Sequence, residues 1–131
     1  MNKNKKILNF EIFSTIFILL IGTLLHFTFK WSNNNLFVGA FSAINESVWE
    51  HLKILFIPML ITIIIGQICF KKDISNYLCI KTKGLLVELT FIVVFFYTYS
   101  GILGTHYPLI DIISFVIAII IGEIYNKITV I

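Results

Sequence analysis

The chain has 131 residues, of which 58% are hydrophobic and only 13% charged, with a formal net charge of +3. An ordinary soluble domain is about half apolar and about a quarter charged, so this balance excludes a soluble catalytic domain and leaves one membrane-embedded unit. Nucleic acid is excluded as a partner too: every basic residue is a lysine, and most of the lysines cluster at the ends of apolar stretches, where they report orientation in a bilayer.

Four apolar stretches predict four membrane spans, each near the ~20 residues that cross a hydrocarbon core. The first, about 7–29, follows Lys3, Lys5 and Lys6. This start resembles a secretory signal, but the stretch carries Glu11, runs too long and lacks a small-x-small cleavage site, so it is expected to stay as an anchor. In the connection from Lys30 to Ser47, Asn33-Asn34-Asn35 reads as a turn, and Leu36 to Phe41 as a segment able to dip into the interface.

Ser47-Val48-Trp49-Glu50 fits a capping box opening the second span, about 48–70. Pro58 within it should free the carbonyl of Ile54 and bend the helix. A lysine-rich connection with Lys71, Lys72, Lys81 and Lys83 follows, flanked by Cys69 and Cys79, which are expected to be buried or interfacial reduced thiols. The third span, about 85–103, ends at Gly104, and Pro108 starts the fourth, about 108–125. There Ser114, Ala118 and Gly122 form a small-residue stripe suited to close helix packing or to a homo-oligomer contact. The fold expectation is an all-α integral membrane four-helix bundle. By the positive-inside rule both termini are cytoplasmic, and Trp31, Trp49, Tyr97, Tyr99 and Tyr107 mark the outer interface.

The ionisable groups fall into two layers. The inner one holds Glu11, Glu88 and Glu123 near the cytoplasmic lysines; snorkelling ion pairs are the plain reading and a coupled-ion role for Glu88 the sharper one. The outer one gathers His26, Glu46, Glu50, His51, Lys53, His106 and Asp111, with Tyr97 able to add a hydroxyl. If the helix already includes Glu46, then Glu46, Glu50 and Lys53 share a face, with His51 about 100° away. Three imidazoles near three carboxylates suit a divalent metal, with His26, Glu50 and His51 as candidate ligands, although no H-E-x-x-H is present. Ser47 is excluded as a nucleophile, because its oxygen is engaged as a cap and no G-x-S-x-G elbow accompanies it.

The string Asn45-Glu46-Ser47-Val48-Trp49-Glu50-His51-Leu52-Lys53, taken with Gly22 to Phe27, Trp31-Ser32 and Phe95 to Gly104, resembles a family of small bacterial membrane proteins of unknown function. The resemblance implies a bacterial inner-membrane setting and a multi-helix bundle, and it supplies no activity. The leading expectation is an outward-facing His/Glu pocket that binds or moves a small polar solute, ion or proton. A membrane-embedded metal-assisted hydrolase and a structural accessory subunit are the alternatives. Beyond the lipid bilayer, a homo-oligomer is the expected partner, and no cofactor is implied other than a divalent metal ion.

Overall fold

The computed structural model describes residues 2–130. Among them the chain forms five helices: α1 (Lys3–Trp31), α2 (Leu36–Gly39), α3 (Val48–Phe70), α4 (Tyr77–Leu103) and α5 (Pro108–Val130). Four of these are long and apolar enough to cross a membrane, and the protein is all-helical among the described residues. Each long helix packs on the next, α1 on α3, α3 on α4 and α4 on α5, and α5 closes back onto α1. Both chain ends therefore lie at one end of the bundle, the terminal end. The connection 32–47 lies at the other, the loop end.

The helices outrun the apolar stretches that announce them. The start of α4 takes in Lys81 and Lys83, which the sequence places in a connection. Hydropathy stops at a lysine, but helix propensity does not, since lysine is a good helix former. Lys81 turns inward instead of into solvent and pairs with Glu11 of α1. Cys69 and Cys79 are both exposed free thiols, which sets aside burial and leaves the interfacial alternative.

Local chemistry sets the other limits. Asn33 and Asn34 take positive φ and turn the chain out of α1, a conformation asparagine tolerates. Gly104 ends α4 at φ 74°, with its N–H donating to the Ser100 carbonyl. Pro58 is buried within α3, which stays continuous around it. The Ile54 carbonyl that it releases faces Gly22 of α1, where even a methyl group would stand 3.2 Å from that oxygen. Close backbone approach at glycine thus covers the freed acceptor.

Ile18, Leu55, Met59, Ile92, Ala118 and Ile119 meet in the middle of the bundle as a dry core. The outward faces are apolar as well: Leu20, Ile64, Leu86 and Ile120, one from each long helix, are exposed. A helix that is hydrophobic all round needs a partner on its outer face, and lipid provides one. The Ser114–Ala118–Gly122 stripe lies inside the bundle: Ser114 and Ala118 are buried, and Gly122 abuts Glu88 of α4.

Candidate functional site

The site at the loop end begins where the connection is anchored to α1. Ser42, fully buried, sends its hydroxyl into the helix, donating to the Leu25 carbonyl at 2.5 Å and accepting from the Phe29 N–H at 2.9 Å. These are the two groups that an α-helical ladder would ordinarily join. The Ala43 N–H also donates to the Leu25 carbonyl at 3.1 Å, and Thr28 Oγ1 donates to Ser42 Oγ at 2.9 Å. The connection is thereby stitched onto the last turns of α1, beside His26.

The start of α3 supplies the facing wall. Ser47 is the N-cap and accepts from the Glu50 N–H at 3.4 Å, while its own N–H is taken by Asn45 Oδ1 at 2.9 Å. The capping box is therefore not reciprocal. The Glu50 carboxylate reaches past Ser47 to accept from the Ile44 N–H at 3.0 Å and pairs with Lys53 at 2.6 Å. Lys53 in turn donates to the Gly39 carbonyl at 2.8 Å. Glu50 and Lys53 thus tie α2 and the connection to α3.

Because α3 begins at Val48, as the capping box predicts, Glu46 precedes the helix and the condition for a shared face with Glu50 and Lys53 is not met. Freed from the helix, its carboxylate lies between two imidazoles. Oε1 stands 3.7 Å from His26 Nε2, and Oε2 stands 3.7 Å from His51 Nε2. The two rings face each other, 5.3 Å apart at 30°. One ligand atom from each of His26, Glu46 and His51 lies within 4.8 Å of the others. Of the expected set His26, Glu50 and His51, the structure brings the two histidines together and puts Glu46 where Glu50 was expected.

The hydrogen-bond roles decide what this cluster can do. His51 Nδ1 lies 2.8 Å from the Ser47 carbonyl, which can only accept, so Nδ1 carries a hydrogen. In a neutral ring Nε2 then presents a lone pair toward a carboxylate oxygen 3.7 Å away, and a proton or a metal ion seated between the two would be held by both. Donors about 2.0–2.1 Å from a tetrahedral ion stand about 3.3 Å apart, so both 3.7 Å pairs need only small rotations. The Ser47 carbonyl is the kind of outer partner that fixes the tautomer of a ligating histidine. Half-exposed Glu46 leaves the site open to small ions.

The remaining candidates stand apart. Asp111 accepts from Tyr99, and its other oxygen lies 3.1 Å from His106 Nδ1. Tyr99 also accepts from the Tyr107 N–H at 3.2 Å. This second cluster closes the α4–α5 turn, and among the described residues no ion pair links it to His26, Glu46 or His51. Tyr97 is exposed and contributes nothing to either cluster. Sequence reasoning missed Ser42, whose role no pattern signals, and the Ser47 carbonyl, which the N-cap assignment could have placed one turn before His51.

Residues 1–128 match the family described as Family of unknown function (DUF6512), and the chain belongs to that family. No curated protein and no solved structure matches the chain.

Proposed function

We propose that this family member is an integral protein of the bacterial cytoplasmic membrane, with both termini cytoplasmic, that binds a divalent transition-metal ion at an outward-facing His26–Glu46–His51 site. The lysine distribution supports the orientation. Lys3, Lys5, Lys6, Lys71, Lys72, Lys81, Lys83 and Lys127 belong to the terminal end, and only Lys30 and Lys53 to the loop end. The reading is carried by one observation: the Glu46 carboxylate faces the Nε2 atoms of two histidines at 3.7 Å, and the hydrogen on the far nitrogen of one is fixed by a carbonyl. Two neutral imidazoles and one carboxylate make a donor set for zinc, manganese or iron.

Three protein ligands leave coordination positions open, which is also what a metal-assisted hydrolase requires. A hydrolase further needs a free general base, and the adjacent carboxylate, Glu50, is held by Lys53 and the Ile44 N–H. Binding or passage of the ion is therefore the better-supported role.

The test is metal analysis of the purified full-length protein before and after incubation with zinc or manganese. One equivalent is expected, lost in Glu46→Gln and in His51→Ala, and retained in Glu50→Gln and His106→Ala. Acidification should release the ion, because protons compete for both imidazoles. Protein that stays metal-free after zinc and manganese loading would overturn the reading, as would binding that survives Glu46→Gln.

A further inference from the structure

The terminal half of the bundle holds a second polar interior that the metal site does not use. Lys81 of α4, 4% exposed, pairs with Glu11 of α1 and lies 3.9 Å from Glu123 of α5. Glu88, two turns deeper along α4, is fully buried, and among the described residues neither of its oxygens has a hydrogen-bond partner. Asn126 of α5 is 1% exposed, and both of its side-chain polar atoms are likewise unpartnered.

Two glycines make the room for these side chains. Glu88 of α4 rests against Gly122 of α5, and Asn126 of α5 rests against Gly84 of α4; a Cβ at either glycine would collide with the opposing polar group. Gly84 precedes Glu88 by four residues, and Gly122 precedes Asn126 by four, so each helix offers a notch one turn from its own polar residue. On antiparallel helices the two pairs interlock. Burying a carboxyl and an amide this deeply costs several kcal/mol unless something satisfies them, so a notch shaped to hold them calls for an occupant.

Charge narrows the choice of occupant. The titratable groups facing this interior are Glu11 from α1, Tyr77 and Lys81 from α4, and Glu123 from α5; α3 brings Cys69 near Tyr77. Three carboxylates thus share one ammonium. Lys81 is engaged by Glu11 and Glu123, and among the described residues no ion pair reaches Glu88. With the Gly122 backbone closed against Oε1, the cation that needs least space is a proton. Toward the loop end Ile92, Ala118 and Ile119 seal the notch. Toward the terminal end lie Glu123 and Lys81.

We infer that Glu88 is a proton-binding site in the membrane interior, seated in the Gly122 notch beside Asn126 and exchanging its proton with the terminal end past Glu123 and Lys81. The proton adds to a carboxylate oxygen, so the loaded form is a neutral carboxylic acid able to donate one hydrogen bond.

Infrared spectroscopy of the full-length protein, reconstituted in phosphatidylethanolamine and phosphatidylglycerol vesicles, reads this form directly. At neutral pH the wild type should show the carbonyl stretch of a protonated carboxylic acid, shifted by deuterium oxide and by carbon-13 labelling of glutamate. The band should be lost in Glu88→Gln, kept in Glu11→Gln, and unaffected by sodium or potassium at fixed pH. Isotope labelling assigns it to glutamate in the wild type even where Glu88→Gln fails to fold, and Glu88→Asp then tests the residue by a shift of the band. A wild type without the band overturns the inference, as does a band that survives Glu88→Gln. Suppression by sodium or potassium would mark a metal-cation site instead, and a band indifferent to deuterium oxide a sealed structural acid; either result overturns it too.

Discussion

Ser42 holds a position that only a small hydroxyl fills, because it must both donate to the Leu25 carbonyl and accept from the Phe29 N–H. Ser42→Ala removes these two bonds and the one from Thr28 Oγ1 at a fully buried point, and should cost about 1–3 kcal/mol, the penalty for leaving a buried polar group unmatched. The measurement is thermal unfolding in detergent, and an unchanged midpoint would show that the Ser42 hydroxyl adds no net stability. Glu46 and Glu50 make a contrasting pair. Glu50→Gln weakens the tie among Ile44, Lys53 and α3, so it should lower the melting midpoint while leaving metal stoichiometry intact. Glu46→Gln, at a half-exposed residue, should do the reverse. Equal effects of the two substitutions on metal binding would contradict the division of labour. His26 and His51 were legible in the sequence as candidates because imidazoles are scarce in apolar stretches. The choice between Glu46 and Glu50 was not, since it depends on where α3 begins. Reading Ser47 as the cap already implies that Glu46 lies outside the helix.

Helix pairing depends on glycines whose purpose hydropathy does not reveal. Gly22 covers the carbonyl that Pro58 frees, and Gly84 and Gly122 make room for Asn126 and Glu88. Gly101, also within α4, has open space around it. Gly101 on one side and Gly84 and Gly122 on the other therefore predict opposite signs for one substitution. Gly101→Ala should stabilise the protein by about 0.5–1 kcal/mol, the helix-propensity gain of alanine over glycine. Gly84→Ala and Gly122→Ala should destabilise it by about 1–3 kcal/mol, the usual cost of an overpacked interior, less whatever the flexible Asn126 and Glu88 side chains recover by turning away. Melting midpoints of the three variants check this, and a common sign for all three would refute the notch. The sequence did mark Gly122 as a place of close helix approach. It could not show that the approaching group is Glu88 of the same chain, because a four-residue spacing on one helix says nothing about which partner fills it. Helix ends were legible where a cap chemistry existed, at Ser47 and Gly104, and were missed at α4, where Lys81 continues the helix as a buried residue.

At the scale of the whole molecule the apolar outer faces and the two polar interiors have one physical origin. A chain so rich in hydrophobic side chains turns them both outward and inward to the Ile18–Met59–Ile119 core, and most of its few ionisable groups are left toward the two ends of the bundle. Four spans were legible from hydropathy for that reason. Convergence of His26, Glu46 and His51 was not, since it arises from the fold of the connection over α1. The orientation supplies a further prediction, for which the chain carries its own probes. Cys69, near the end of α3, and Cys79, near the start of α4, are exposed and belong to the terminal end. If the lysine asymmetry sets the orientation, a membrane-impermeant maleimide should label them in inverted membrane vesicles and not in intact cells. Thr105 is exposed in the α4–α5 turn at the opposite end. Thr105→Cys in a Cys69→Ala, Cys79→Ala background should therefore label in intact cells. Labelling of the native thiols from outside intact cells would reverse the orientation and turn the His26–Glu46–His51 site toward the cytoplasm, where the same donors would meet the metal ions of the cell interior instead.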